Sequence, residues 1–244
     1  MGRERTTEAG LVVYGVNAVE GLLASDVPVS RLMVMGRAPD RHAELARRRG
    51  VRLEEGDRGT LDRLAGTPHH QGIVATTSAY RYADLAAVAA TGAGVLLLDS
   101  IQDPRNLGAI LRTARAAGVG GVVLPQDRSV GVTSVVAAAS AGCLFGLAIA
   151  RVPNLVRAMG VMKDAGYWTV GLVPGAERGL YALPSNDKPA LVVGGEGEGL
   201  RPLVRKTCDF EASLPMARGV ESLNVSVATG IALYELCVRR TPHA

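Results

Sequence analysis

The stretch VLLLDSIQDPRNLGAILRTAR, residues 95–115, is the most informative part of the chain about its fold. It begins with the apolar run Val95–Leu98, which is typical of a strand buried on both faces. Asp103 and Pro104 follow, and this pair is a helix-start signal because Asp accepts a hydrogen bond at the N-cap and Pro suits the first helical position. The next apolar residues share one helical face: Leu107, Ile110, Leu111 and Ala114. The stretch therefore predicts a strand, a turn and an amphipathic helix.

The same alternation of short apolar strands and helical segments continues along the C-terminal part of the chain. Because these strands are almost entirely apolar, we expect an α/β fold with a mostly parallel sheet covered on both faces. The predicted strands are Val95–Leu98, Gly121–Leu124, Leu147–Val152, Trp168–Val173, Leu191–Val193 and Phe210–Leu214. In such a sheet, ligands bind at the carboxyl ends of the strands.

The N-terminal part predicts a separate, small α/β domain. We place this domain at residues 1–80, an Ala-rich linker at 81–94 and the larger domain at 95–244. The predicted elements of the first domain and linker are helices at Tyr14–Ala24, Asp40–Arg49, Gly59–Ala65 and Ala83–Ala90, and strands at Arg31–Met35, Val51–Glu54 and Gly72–Thr76.

Two more segments predict turns at strand ends. LVVGGEGEGL, residues 191–200, has the glycine spacing of a phosphate loop, but Leu200 and Arg201 stand where Lys and Ser or Thr are needed. What remains is a turn whose backbone can approach a ligand closely, with Glu196 placed to accept hydrogen bonds. The alternative is a plain strand-to-helix turn.

LPMARGVESLNVS, residues 214–226, predicts a strand end at Leu214–Met216 and a helix that starts near Ser222. Ser222 is a candidate N-cap. Asn224 is harder to explain as structure, because Asn has a modest helix propensity in the first turn.

Arg105, Arg112 and Arg115 occupy a second face of the helix that follows Asp103, spaced by three and seven residues. A basic row near a helix N-terminus suits a polyanion. From this segment alone, a solvated basic face on a surface helix is the favoured explanation, because exposed charge is common. The whole chain has a formal net charge of +4 and a pI of about 9.2, and its basic residues are almost all Arg. This balance is compatible with a nucleic-acid partner or with genomic base composition.

Cysteine usage and the apolar stretches exclude several classes. The three cysteines are far apart and no C-x-x-C occurs, so neither a zinc site nor a disulfide framework is indicated, and a reducing, cytoplasmic location is expected. Residues 129–150 carry no charge, but Ser, Thr and Gly dilute their apolarity, and we expect no membrane span.

Together, three segments resemble the motifs of a known family. DPRNLGAILRTA from Asp103, GGEGEG from Gly194 and SLNVS from Ser222 look like motifs one, two and three of the SpoU (TrmH-like) RNA 2′-O-ribose methyltransferases. YGVNAVE from Tyr14 and HQGIVA from His70 are similar to the N-terminal RNA-binding domain of the RlmB-like branch, which methylates a guanosine of 23S rRNA.

The resemblance implies a deep trefoil knot in the larger domain, a homodimer, an RNA substrate and S-adenosylmethionine (AdoMet) as cofactor, without a metal. It implies contacts to AdoMet from the glycine turn in residues 191–200 and from the segment at residues 214–226. The residues are Gly194, Gly195, Leu214, Pro215, Met216, Leu223 and Asn224. It implies five catalytic residues: Asn106, Arg112, Glu196, Ser222 and Asn224.

The implied reaction is attack of a ribose 2′-hydroxyl on the sulfonium methyl group. Arg112 either accepts the proton or clamps an RNA phosphate, and the clamp is the safer assignment because Arg stays protonated. The RlmB-like resemblance favours 23S rRNA as substrate. Transfer RNA, an antibiotic-resistance methylation of rRNA, and an inactive RNA-binding assembly factor are the alternatives.

Overall fold

The computed structural model describes residues 10–184 and 187–239, and their contacts group them into two units. The first unit contains residues 10–81 and the segment Val132–Gly146. The second contains Tyr82–Gly131 and the chain from Leu147 onward. The first nine residues of the predicted domain 1–80 and the last five of the predicted domain 95–244 lie outside the described residues.

The first unit holds a four-stranded mixed sheet with helices packed on it. Its elements in chain order are β1 Val12–Tyr14, α1 Val16–Leu23, β2 Val29–Val34, α2 Asp40–Arg48, β3 Leu53–Glu55, α3 Arg58–Ala65 and β4 Ile73–Thr77. The strand order is β1-β4-β2-β3, with β4 antiparallel to both neighbours and β3 parallel to β2. The predicted helices and strands are present with small shifts, except that the sequence did not predict β1, and Tyr14 ends this strand instead of opening the helix.

The second unit contains a six-stranded sheet made of β5 Val95–Asp99, β6 Gly121–Pro125, β7 Ala148–Val152, β8 Trp168–Leu172, β9 Pro189–Gly194 and β10 Phe210–Ala212. The strand order is β10-β8-β9-β5-β6-β7. Every neighbouring pair in it is parallel, which confirms the predicted sheet type. The α-helices in the rest of the chain are α4 Leu85–Ala89, α5 Pro104–Ala116, α6 Ser134–Ala139, α7 Leu155–Asp164, α8 Pro202–Thr207 and α9 Val225–Leu233. Helix α9 continues as a π-helical segment, Tyr234–Arg239.

The helix α6 and the turn after it belong to the first unit, although the sequence places them between two strands of the second. The expected domain 95–244 is therefore interrupted at Val132–Gly146. A backbone contact explains this grouping, because a Cβ built on Gly21 of α1 would lie 2.7 Å from the carbonyl oxygen of Gly142. Only glycines allow two chain segments to approach so closely.

The core of the second unit comes from aliphatic side chains of its central strands. Leu96, Leu97 and Leu98 of β5 and Val192 of β9 are fully buried. Each such side chain stabilises the fold by about 1.5–3 kcal/mol relative to an exposed position. The apolar face predicted for α5 is buried as well, at Leu107, Ile110, Leu111 and Ala114. Among the described residues, none of the helices combines the length and apolarity that a membrane crossing requires.

Cys143, Cys208 and Cys237 form no disulfide bond. Burial raises the pKa of Cys208 to about 12 and the pKa of Cys237 to about 11. Both thiols therefore stay protonated at neutral pH and behave as small apolar side chains. Within residues 10–184 and 187–239, no group of three or more His, Cys, Asp and Glu side chains is arranged to hold a metal ion.

Candidate active site

The first two motif segments meet at the carboxyl edge of the parallel sheet. β5 ends at Asp99 and β9 ends at Gly194, and these two residues are register partners on neighbouring strands. The turn after β5 and the glycine loop after β9 therefore leave the sheet side by side. Their closeness follows from strand order, since carboxyl ends of parallel neighbours lie on one edge.

The start of α5 is set by its cap. The side chain of Asp103 accepts a hydrogen bond of 2.7 Å from the backbone nitrogen of Arg105, and Pro104 occupies the first helical position, as the sequence predicts. Burial of the apolar face fixes the rotation of the helix. Asn106, in its first turn, is thereby directed toward the glycine loop.

Glu196 joins the three motifs through one carboxylate oxygen. Its Oε1 accepts hydrogen bonds from Asn106 Nδ2 at 3.0 Å and from Asn224 Nδ2 at 2.9 Å. Asn224 Nδ2 also lies 3.1 Å from Asn106 Oδ1. Three of the five predicted catalytic residues thus form a single hydrogen-bonded cluster, which we call the Asn-Glu-Asn cluster.

Asn224 is oriented by its position as the N-cap of α9. Its Oδ1 accepts hydrogen bonds from the Ser226 backbone nitrogen at 3.0 Å and from Ser226 Oγ at 2.6 Å. Because that oxygen is occupied, the amide nitrogen must face Glu196. The expectation that the helix starts near Ser222 is wrong, since α9 begins at Val225 and the cap is Asn224. Asn224 therefore has a structural role as the cap, and this role directs its amide nitrogen toward Glu196.

The preceding strand is also shorter than expected. β10 ends at Ala212, so Leu214–Met216 lie in the loop and not at a strand end. A proline at 215 cannot donate to a sheet ladder, which explains why pairing stops before it.

The glycine loop is closed by its own backbone. Gly199 donates a hydrogen bond of 3.1 Å to the Gly195 carbonyl oxygen. A Cβ on Gly194 would lie 2.0 Å from the Gly199 carbonyl carbon, and one on Gly195 would lie 2.3 Å from the Ser100 carbonyl oxygen. These two positions accept only glycine without a shift of the main chain.

A cavity of about 440 Å³ lies beside the Asn-Glu-Asn cluster. Its volume is in the range of small-molecule and cofactor sites, about 300–1,000 Å³. Its walls come from the turn after β5, the start of α5, the glycine loop and the start of α9. The lining residues are Ser100, Ile101, Gln102, Asp103, Asn106, Gly195, Glu196, Glu198, Gly199 and Val225.

The other predicted site residues lie outside this cavity lining. Arg112 is exposed on α5, two turns beyond Asn106. Ser222 and Leu223 are exposed in the loop before α9, as are Pro215 and Met216, whereas Leu214 is half-buried. Gly194 is buried at the end of β9, and Gly195 is the one predicted glycine that lines the cavity.

Asp99, Ser100 and Glu198 are neighbours of the site that the sequence analysis did not single out. Asp99 is fully buried although charged, and Ser100 has a φ of 65°, a conformation that non-glycine residues rarely adopt. A charged residue at the end of an apolar strand is the one signal that points to Asp99 in the sequence.

Comparison with known proteins agrees with the family resemblance inferred from the three sequence motifs. A model of the SpoU rRNA Methylase family matches residues 93–234, and a model described as RNA 2'-O ribose methyltransferase substrate binding matches residues 12–83. Putative TrmH family tRNA/rRNA methyltransferase YacO of Bacillus subtilis is 41% identical over 94% of this chain and 96% of its own length. The 23S rRNA (guanosine-2'-O-)-methyltransferase RlmB of Xylella fastidiosa is 40% identical, also over 94% of this chain and 96% of its own length.

Among solved structures, the SpoU methyltransferase AviRb from Streptomyces viridochromogenes in complex with AdoMet is similar with a TM-score of 0.81. It is 25% identical, and the match covers 96% of this chain and 92% of AviRb. The resemblance predicted from the three motifs is confirmed, and the chain belongs to the SpoU rRNA methylase family.

Proposed function

We propose that this chain transfers a methyl group from AdoMet to the 2′-hydroxyl of a guanosine in 23S rRNA. The observation that carries the proposal is the Asn-Glu-Asn cluster, in which three separate motifs converge on Glu196 Oε1 beside a cavity of cofactor size. The RlmB relative, named for this reaction, matches nearly the whole chain and supports the choice of substrate.

The chain offers a binding surface of the kind that AdoMet needs. Gly194 and Gly195 let the loop pack closely against the main chain of Gly199 and Ser100, and Glu196 and Glu198 give the cavity wall a negative charge. We assign Gly194, Gly195, Leu214, Pro215, Met216 and Leu223 to the cofactor, with Asn224 beside them. When bound, AdoMet supplies a methyl group already activated on a sulfonium.

The residues of the chain act by alignment. Asn106 and Asn224 hold the Glu196 carboxylate in place, and the cluster orients the ribose at the cavity beside it. Ser222 contributes a further hydroxyl from the loop before α9. Alignment of two reactants contributes at best about 7–11 kcal/mol to a rate. Arg112 clamps an RNA phosphate with its guanidinium group, since its exposed position on α5 suits a polyanion.

The experiment that tests this proposal is incubation of the protein with labelled AdoMet and total RNA from cells that lack its gene. We expect label in 23S rRNA, and ribose-methylation mapping should locate it at one guanosine. Glu196→Gln, which keeps the size of the side chain, should lower transfer strongly and serves as the control for contaminating activity. Label in transfer RNA alone would replace the substrate, and bound AdoMet with no transfer to any RNA would support an inactive assembly factor.

We also propose that residues 1–80 bind the RNA and that residues 95–244 carry the knotted catalytic domain, with 81–94 as the linker. The match of the substrate-binding family model to residues 12–83 supports the first assignment. After β10 at one edge of the sheet, the chain returns to its centre, where α9 packs against α5 and β9, and the proposed knot requires such a return. Three cysteines that form no disulfide bond are consistent with a cytoplasmic location.

A homodimer is part of the same proposal. Val227, Ile231 and Tyr234 follow a spacing of four and three residues, and their exposed fractions are 51%, 37% and 48%. Such an apolar stripe on the last helix suits a second copy of the chain. Ile231→Asp is expected to shift the protein toward a monomer in sedimentation experiments, whereas Val135→Asp, an exposed apolar residue of α6, should leave its mass unchanged. A native monomer at micromolar concentration would contradict this part of the proposal.

A further inference from the structure

Asp99 contacts both ends of the glycine loop, one through its main chain and the other through its buried carboxylate. Through its main chain, Asp99 is the register partner of Gly194, where the loop begins. Through its side chain it holds Arg201, where the loop ends. Oδ2 accepts a hydrogen bond of 2.9 Å from the Arg201 backbone nitrogen, and Oδ1 accepts one of 2.7 Å from Arg201 Nε.

Asp99 needs this contact with Arg201 because its carboxylate is 0% exposed and cannot be hydrated by solvent. A buried carboxylate without partners is very unfavourable, and its removal from water is offset only by good geometry with a cation and with hydrogen-bond donors. Arg201 provides both, and the exposed fraction of its own side chain is 35%. The backbone position of Arg201 is therefore fixed relative to the end of β5.

Asp99 also contacts Ser100, which belongs to a second wall of the cavity. Ser100 Oγ donates a hydrogen bond of 3.3 Å to Asp99 Oδ1, and Ser100 has the left-handed φ of 65°. The Ser100 carbonyl oxygen lies against Gly195, where a Cβ would be only 2.3 Å away. Ser100 and Gly195 both line the cavity, so one carboxylate supports two of its walls.

We propose that Asp99 is the positioning residue of Glu196, and this inference rests on the proposed methyl transfer. By holding the loop at Gly194 and at Arg201, Asp99 sets the place at which the Glu196 carboxylate meets Asn106 and Asn224. Those hydrogen bonds are 3.0 and 2.9 Å long, and a shift of the loop by about 1 Å would break them. Misplacement of this size can lower a rate by about 100-fold.

The test compares Asp99→Asn with Arg201→Ala. Asn keeps the volume of Asp but removes the charge and one of the two acceptors for Arg201. We expect kcat to fall by about 10- to 100-fold, with the KM for RNA within threefold of the native value. Arg201→Ala keeps the backbone hydrogen bond but leaves the Asp99 carboxylate without its cation, so its kcat is measured at a temperature at which circular dichroism shows the variant folded, and it should fall by about tenfold. This second variant carries the test if Asp99→Asn does not fold.

Two further measurements separate positioning from general stability. In a Glu196→Gln background, Asp99→Asn should cost no more than about threefold further, since residues that act through one another are not additive. Asp209→Asn is the matched control, because Asp209 pairs with Lys163 Nζ at 2.7 Å and with Thr169 of the same unit but does not line the cavity. Its kcat should stay within twofold even where its melting temperature falls.

Failure of this inference is distinguishable from failure of the proposed function. If the native protein methylates RNA while both Asp99→Asn and Arg201→Ala stay within threefold in kcat, Asp99 does not position Glu196. The inference would also be overturned if the reductions in kcat caused by Asp99→Asn and by Glu196→Gln multiplied in the double variant. If the native protein methylates no RNA, the proposed function fails and this inference fails with it.

Discussion

Replacement of Arg112 by alanine is expected to lower methyl transfer by about 100-fold or more while AdoMet affinity stays within a few-fold of the native value. Arg112 is exposed on α5 and lies outside the lining of the cavity beside Glu196. Its guanidinium can hold an RNA phosphate by two parallel hydrogen bonds, which alanine cannot replace. Single-turnover methylation of saturating RNA and calorimetry of AdoMet binding measure the two quantities separately.

Arg105→Ala is the matched control for this variant. Arg105 is also exposed and lies seven residues earlier on the same face of α5. A contact that contributes equally to ground-state and transition-state binding raises KM and leaves kcat unchanged, and we expect this behaviour from Arg105→Ala. An equal loss of AdoMet binding in Arg112→Ala would contradict the phosphate clamp.

Gly194→Ala has the second largest expected effect. The added Cβ would lie 2.0 Å from the Gly199 carbonyl carbon and 2.3 Å from the Leu200 backbone nitrogen. Backbone atoms cannot move aside as a flexible side chain can, so the loop must shift and Glu196 must leave the Asn-Glu-Asn cluster. We expect AdoMet affinity to fall by about tenfold or more and kcat by about 100-fold. Overpacking of about 1–3 kcal/mol should also lower the melting temperature by several degrees.

Gly160→Ala provides the comparison for the glycine change itself. Gly160 lies within α7, and a Cβ built there has no other atom within 4 Å. Alanine is favoured over glycine in a helix by about 1 kcal/mol, so this variant should be at least as stable as the native protein and fully active. If Gly194→Ala binds AdoMet and methylates RNA as well as Gly160→Ala does, the close packing of the loop has no functional role.

Local sequence patterns predicted the elements whose causes are themselves local. The cap and proline at Asp103–Pro104 and the apolar spacing of α5 required only neighbouring residues, and the structure has both. The parallel sheet followed from continuous apolar strands. The predicted start of α9 failed for a related reason: Ser222 and Asn224 are both good caps, and only the geometry of the loop selects Asn224.

Long-range contacts decided the rest. Arg201 reaches a carboxylate 102 residues earlier in the chain, and no spacing rule connects two such positions. The same applies to the segment Val132–Gly146, which belongs to the first unit. Its Gly142 contacts Gly21 of α1, and neither stretch of sequence predicts this contact by itself.

The family, the parallel α/β sheet and the residues of the Asn-Glu-Asn cluster could all be predicted from the sequence, because motifs and periodicity are patterns among residues that are close along the chain. Only the tertiary structure decided that Asn106, Glu196 and Asn224 meet while Arg112 and Ser222 stay exposed. It also showed that Asp99 holds the glycine loop. The physical reason is that hydrogen bonds act over about 3 Å in space, whatever the distance along the chain.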